Sequence, residues 1–231
     1  MTRRLLAFLC ITSLVGFVTV FAAEPKPLYV KKSTRADTIQ ATLKASGYPD
    51  FSGKWHWTGP FDNTGLKGFQ AELPGKVEWK DHATGHPRGI VDLYVALGKK
   101  KGVDPATKKK DAVYALARVE VESPDDREVE IRAATQNAIR MYVNGEHVFS
   151  REEYHHGDTL DQHVGRAKLK KGSNEILVKV CQDDATMMWT LVWQFQLRVC
   201  DYLGTPAPIK ILSALNAVPV KPEPEKKEPS K

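Results

Sequence analysis

YALARVEVESPDDREVEIRAATQNAIRMYVNGEHVF, residues 114–149, alternates apolar and polar side chains through three successive runs. In the first, Ala115, Ala117, Val119 and Val121 share one face against Arg118, Glu120 and Glu122 on the other. Val129, Ile131 and Ala133 repeat the pattern against Glu128, Glu130 and Arg132, and Ile139, Met141 and Val143 form the third run. Successive side chains of an extended chain point to opposite faces, so a period of two marks a strand with one face buried. Asn144-Gly145 then supplies the residues that tolerate a tight hairpin turn, which leads the chain into Glu146 to Phe149.

The same pattern continues outward. A strand ending near Leu169 meets the turn Lys170-Lys171-Gly172-Ser173, and Glu175 to Cys181 follows. From Trp189 to Val199, the residues Trp189, Leu191, Trp193, Phe195, Leu197 and Val199 fall on one face. Lys54 to Thr58 and Ile90 to Tyr94 are shorter strand candidates upstream. Consecutive short strands with regularly spaced turn signals predict an all-β protein, an antiparallel two-sheet β-sandwich. Trp55 and Trp57 share one face of a short strand, and the reading favours burial in the core over an exposed platform.

Both ends differ from this middle. Arg3 and Arg4 precede an apolar run from Leu5 to Phe21 that closes on Ala22 and Ala23, the plan of a secretory signal spanning residues 1–23. Cleavage after Ala22 or after Ala23 fits equally, and the export implied is to a secreted or periplasmic location with no membrane span after signal cleavage. Residues 24–52 read as a polar leader with one short helix from Thr34 to Ala45, residues 53–202 as the sandwich, and residues 203–231 as a Pro-, Lys- and Glu-rich tail. Within the tail, the apolar stretch Ile209 to Val218 is a candidate to dock on the domain.

The formal charge is +6, of which two positive charges belong to the signal. The remaining excess sits in the loop from Gly98 to Asp111, where Lys99, Lys100, Lys101, Lys108, Lys109 and Lys110 face only Asp104 and Asp111. A nucleic-acid binder spreads basic residues over a face with aromatic or base-reading partners, which this loop lacks, so it reads as a solvated tip and no nucleic-acid partner is expected.

Cys181 and Cys200 are the cysteines of the mature chain. An exported location favours their oxidation as a pair, but the strand order opposes it. Cys181 ends one strand and Cys200 ends the next, which runs the other way, placing them on the order of 25 to 30 Å apart. A disulfide needs Cα atoms within about 7 Å, so the prediction is two free thiols, with Cys181 a small buried residue.

Catalytic motifs are missing. There is no nucleophile elbow, phosphate loop or zinc-protease helix, and Glu152-Glu153 are adjacent on one loop, where they cannot flank a glycosidic bond from two sides. His82 and His86, and the series His155-His156, Asp158, Asp161 and His163, bring imidazole and carboxylate close together, yet none of these spacings matches a known metal site. The expectation is a non-enzymatic protein without cofactor or metal.

Trp55-His56-Trp57-Thr58-Gly59-Pro60-Phe61-Asp62-Asn63, Gly68-Phe69, Val91-Asp92-Leu93, Tyr114-Ala115, Tyr142-Val143-Asn144-Gly145 and Leu169 to Val180 occur in that order. The series resembles secreted bacterial galactose-binding-like (jelly-roll) modules, similar to the sugar-binding domains appended to glycoside hydrolases, over roughly Gly53 to Asp201. The resemblance implies a jelly roll and a non-catalytic accessory role. Such modules often carry a Ser-Asp-Asp-Gly turn where this chain has Thr135-Gln136-Asn137-Ala138, and often Trp where Tyr142 stands, so no ligand-binding role is carried over to that turn.

If each connection reverses the strand, the loops Gly98 to Asp111, Thr135 to Ala138, Arg151 to Leu160 and Gln182 to Met188 all emerge at the end opposite the Asn144-Gly145 hairpin. Loops at one end of a rigid sandwich are where recognition is usually placed. The candidate ligand-binding residues are therefore Gln136, Asn137, His155, His156, Asp158, Asp183 and Asp184. Two functions stay open, with a hydrolase a distant third: a module binding glycan or another cell-surface polymer, and a structural or interaction module tethered by its Pro-rich tail and recognising other secreted proteins. An exposed aromatic on this rim points to the first, and a large apolar patch on one sheet to the second.

Overall fold

A computed structural model describes residues 51, 55–82, 89–98 and 110–212. The expected signal, the leader with its expected helix apart from Phe51, His86, most of the lysine-rich loop and the tail beyond residue 212 lie outside the described residues.

Among the described residues, eleven strands follow in chain order: β1 (Trp55–Asp62), β2 (Lys80–His82), β3 (Val91–Asp92), β4 (Val113–Ser123), β5 (Arg127–Ala134), β6 (Ala138–Val143), β7 (Glu146–Arg151), β8 (His163–Leu169), β9 (Gly172–Gln182), β10 (Gln194–Cys200) and β11 (Lys210–Ile211). They form two antiparallel sheets. The larger runs β2-β1-β4-β9-β6-β7, with β11 also pairing to β4, and the smaller runs β3-β10-β5-β8. The chain is an all-β sandwich. Ala117, Val178 and Met141 stand side by side across β4, β9 and β6, as their register requires. Leu197 and Ala133 do the same across β10 and β5. These inward rows, with Trp55, Trp57, Trp193 and Phe195, make one core between the sheets. Ile209 and Ile211 pack against it.

Three features depart from the expected pattern. The polar face of β4 is solvated at Glu122 but not further along: Arg118 and Glu120 are buried, together with Glu175 and Lys179 on β9. The connection from β1 to β2 crosses the outer face of the larger sheet, where Phe69 joins Tyr114, Leu116, Tyr142, Leu177 and Cys181 in a second apolar cluster. Lys179 Nζ donates to the carbonyls of Ala71 (2.7 Å) and Phe69 (3.3 Å) while lying 4.3 Å from the centre of the Tyr114 ring. Gly68 is required for this close approach, since a Cβ there would fall 2.6 Å from the Asp62 carbonyl oxygen and 2.8 Å from the Tyr114 ring.

The second departure is at Ile90 to Tyr94, where β3 stops at Asp92 and a helical turn, Leu93–Ala96, follows. The Asp92 carboxylate accepts hydrogen bonds from the Tyr94 and Val95 N–H groups, a capping geometry that competes with strand continuation. The third is Trp189. Strand β10 begins only at Gln194, and Trp189 stands in a 3-10 turn, Met188–Thr190, with 63% of its surface exposed. Thr190 is the buried member of that turn, its hydroxyl 2.7 Å from the carbonyl oxygens of both Ala185 and Met187, which breaks the two-residue alternation and swings the indole outward.

Cys181 and Cys200 are free and buried. They lie in different sheets rather than on paired strands: Cys181 stands beside Ala138 on β6, Cys200 beside Glu130 at the other end of β5. Burial pushes the Cys181 thiol up to about 12, so it carries almost no thiolate at neutral pH. The native protein is expected to resist iodoacetamide at Cys181 and to react there once unfolded. Non-reducing peptide mapping that recovered a Cys181–Cys200 peptide would contradict the strand arrangement.

Candidate functional site

Residues 110–112 before β4 and the loops that link β5 to β6, follow β7 and follow β9 meet at the end of the sandwich opposite the Asn144-Gly145 hairpin. A polar network fixes their base. Asn63 Nδ2 donates to the Gln182 carbonyl (2.9 Å) and to the Tyr154 hydroxyl (3.3 Å), and the Tyr94 hydroxyl donates to Gln182 Oε1 (2.8 Å). Gln182 Nε2 donates in turn to the Asp111 carbonyl at 3.2 Å. Burial pushes the Tyr154 phenol up to about 12 despite the Asn63 contact, so it stays protonated throughout the physiological range. Groups held by several such bonds present a pre-organised surface rather than a pliable one.

Above this base, Asp183 is the junction. Its Oδ2 lies 2.8 Å from His155 Nε2, and its Oδ1 accepts from Lys110 Nζ at 3.2 Å and from the Ala185 N–H at 3.2 Å. Burial works to raise the Asp183 pKa, but the His155 hydrogen bond and the Lys110 charge outweigh it and leave the carboxyl below the usual aspartate range. The His155 N–H of the backbone donates to the Gln136 carbonyl (2.5 Å), which ties the loop after β7 to the β5–β6 turn. Asp158 accepts from Gln194 Nε2 at 3.2 Å.

The seven candidate residues thus divide. Gln136, His155 and Asp183 are brought together, and Asp158 joins the same end through Gln194. Asp184 is exposed beside Asp183, and His156 is exposed and turned toward Glu153 at 3.5 Å. Asn137 is corrected to a structural residue. It is buried, donating Nδ2 to the Val192 carbonyl (3.0 Å) and accepting the Gln194 N–H (3.3 Å), so it anchors the start of β10 and presents nothing to solvent.

The histidine and aspartate series also disperses. Asp161 crosses to the outer face of the smaller sheet, 2.6 Å from Arg198 Nη1 and 3.2 Å from Arg132 Nη1. His163 is buried, and that burial holds its imidazole below the usual histidine range. Among the described residues no group of three or more His, Cys, Asp or Glu side chains is placed to hold a metal ion.

Two functional-looking residues were not distinguished by sequence reasoning. Lys110, read as one of six lysines on a solvated tip, has its ammonium buried against Asp183 and the Thr190 carbonyl (2.9 Å). Trp189, read as core, is exposed in the loop that Lys110 contacts. The short apolar stretch Met187-Met188-Trp189 lies next to Asp183-Asp184, a juxtaposition visible in the sequence but masked by the alternation that follows it.

No protein-family model matches this chain, and no curated protein matches it in sequence. Solved structures show weak likeness. A β-glucosidase from Kluyveromyces marxianus aligns at a TM-score of 0.40 and 14% identity, covering 64% of this chain and 16% of that one. A β-glucuronidase from an uncultured Clostridium sp. aligns at 0.33 and 14%, covering 64% and 28%. A family 35 carbohydrate binding module from Clostridium thermocellum aligns at 0.26 and 18%, covering 38% of this chain and 77% of the module. This chain therefore spans about 16% of the length of the β-glucosidase, and similarity at these scores carries no argument about what it binds.

The remaining surfaces differ in character. The outer face of the smaller sheet is crossed by ion pairs among Glu130, Arg132, Asp161 and Arg198, and the outer face of the larger is covered by the β1–β2 connection. At the hairpin end, the free edges of β7 and β8 flank a groove of about 650 Å³ with Val129, Val143, Val148 and Ala167 among its lining residues and Tyr202 exposed at its margin. No helix among the described residues is long and apolar enough to cross a membrane.

Proposed function

We propose that this chain is an exported, non-catalytic module that binds a glycan at the loop end of the sandwich, in the manner of the galactose-binding-like modules its motif order resembles. The observation that carries the reading is the exposed indole of Trp189 in the loop that begins at Asp183 and Asp184. A rigid aromatic face stacks on the C–H surface of a pyranose ring, and neighbouring carboxylates and amides take its hydroxyls. Asp184, His156 and Gln136 are the polar partners for those hydroxyls, with Asp158 beside them. The secreted-protein interaction reading would need an apolar patch on one sheet face. Neither outer face of the described sheets offers one, which is why the glycan reading is preferred.

The test is a glycan array and polysaccharide pull-down with the full mature chain and its Trp189→Ala variant. Loss of the indole is expected to weaken binding about tenfold or more, with a melting temperature within about two degrees of wild type because the side chain is largely exposed. Full binding by Trp189→Ala, or no glycan bound by the wild type, would overturn the proposal.

A further inference from the structure

We infer that Lys110 is the positioning residue of the loop end: its buried ammonium latches the Asp183–Thr190 loop and so sets where Trp189 stands. The inference rests on the glycan reading for its functional meaning, but the latch itself is a statement about geometry.

Lys110 Nζ spans the two ends of that loop. It donates to Asp183 Oδ1 at the start (3.2 Å) and to the Thr190 carbonyl at the finish (2.9 Å), one residue beyond Trp189. The loop is also closed on itself, with the Ala185 N–H donating to Asp183 Oδ1 and the Thr190 hydroxyl facing the Ala185 and Met187 carbonyls. A single cation therefore neutralises the carboxylate on which the loop begins and satisfies a main-chain acceptor on which it ends. His155 completes the arrangement from the other side of Asp183, so the loop after β7 and the loop after β9 are bound to the same carboxylate.

The side chain of Lys110 is only 1% exposed. Lysine is almost never fully buried without a partner, since removing an ammonium from water carries a large desolvation penalty before any pairing is counted. Burial accordingly lowers the Lys110 pKa, and the charges of Asp183 and Asp184 oppose that shift without cancelling it. A solvated loop tip would impose no such cost. Its presence here follows if holding Trp189 is what the lysine does. A truncated Lys110 leaves the Thr190 carbonyl and Asp183 without their shared donor, and nothing else described reaches both.

The experiment uses the full mature chain labelled with 5-fluorotryptophan, in which five indoles report separately by fluorine NMR and Trp189→Phe assigns the one in question. In Lys110→Met, the Trp189 resonance is expected to narrow and move toward the position of a freely mobile indole, while those of Trp55, Trp57 and Trp193 stay in place. Asp183→Asn is expected to move the same resonance in the same direction by less. The two changes should be non-additive in the double variant, because they break one linkage. If Lys110→Met does not fold, Asp183→Asn alone decides. A Trp189 resonance unmoved by either variant, or strictly additive shifts, would overturn the latch even if glycan binding through Trp189 were established. A shifted resonance in a protein that binds no glycan would support the latch and remove the glycan reading instead. Where glycan is bound, Lys110→Met should weaken it about tenfold, comparable to losing the indole's placement.

Discussion

Trp55→Ala is expected to destabilise the protein by about 3–5 kcal/mol, the range for truncating a large aromatic inside a packed core. Trp55 is 1% exposed, its ring meets Phe195 edge-on at 5.0 Å and Phe51 at 6.0 Å, and it thereby joins the larger sheet to the smaller. Its indole Nε1 is buried with no hydrogen-bond partner in the described structure. Trp55→Phe should therefore cost much less, because the lost volume is partly offset by removal of an unsatisfied donor. Guanidinium unfolding monitored by circular dichroism measures both. A Trp55→Ala loss below about 1 kcal/mol would mean that this ring does not bridge the sheets. The contrast with Trp189 is the useful one, since the same side chain holds the fold at one position and is free of it at the other.

That contrast shows what the sequence could and could not disclose. Inward faces were legible because a period of two assigns one side of every strand to the core, and β4, β5, β6 and β9 follow it along their length. The loop end was reachable by following strand direction, since each connection reverses the chain. What covers the outer face of the larger sheet was not legible. The segment between β1 and β2 has no period, and only the three-dimensional arrangement shows Trp79 over Arg118 or Phe69 over Arg140. Trp189 was misplaced for a related reason. Six alternate residues from Trp189 to Val199 are apolar, and nothing in that alternation marks the point where the Thr190 hydroxyl ends the turn and the strand begins. Lys110 was hidden by its neighbours, five other lysines in one loop, among which composition does not mark Lys110 as buried.

Arg118→Met is expected to cost about 3–5 kcal/mol at neutral pH, because it leaves the Glu175 carboxylate buried without its cation. The pair is close and shielded: Arg118 Nη1 lies 3.2 Å from Glu175 Oε2, with side-chain exposures of 8% and 4%. The guanidinium also lies 4.0 Å from the centre of the Trp79 ring, which seals it from solvent and adds a cation–π contact. Burial raises the Glu175 pKa and Arg118 opposes the rise, so the carboxyl already sits above its usual range in the intact protein. A carboxyl raised on folding contributes stability that is complete below its unfolded pKa and is lost as pH climbs through the folded one. Removing Arg118 moves the folded value higher still. The deficit of Arg118→Met relative to wild type should therefore be small near about pH 4 to 5, where Glu175 binds a proton and needs no partner, and should grow toward about pH 8. Adding Glu175→Gln to Arg118→Met is expected to recover most of the loss at the upper end and little at the lower, since the amide imitates the protonated acid. Denaturant titrations of the three proteins at both ends of that range measure the coupling. A deficit independent of pH, or a double variant no better than the single one at high pH, would mean that the cost of losing Arg118 is packing against Trp79 rather than the charge of Glu175.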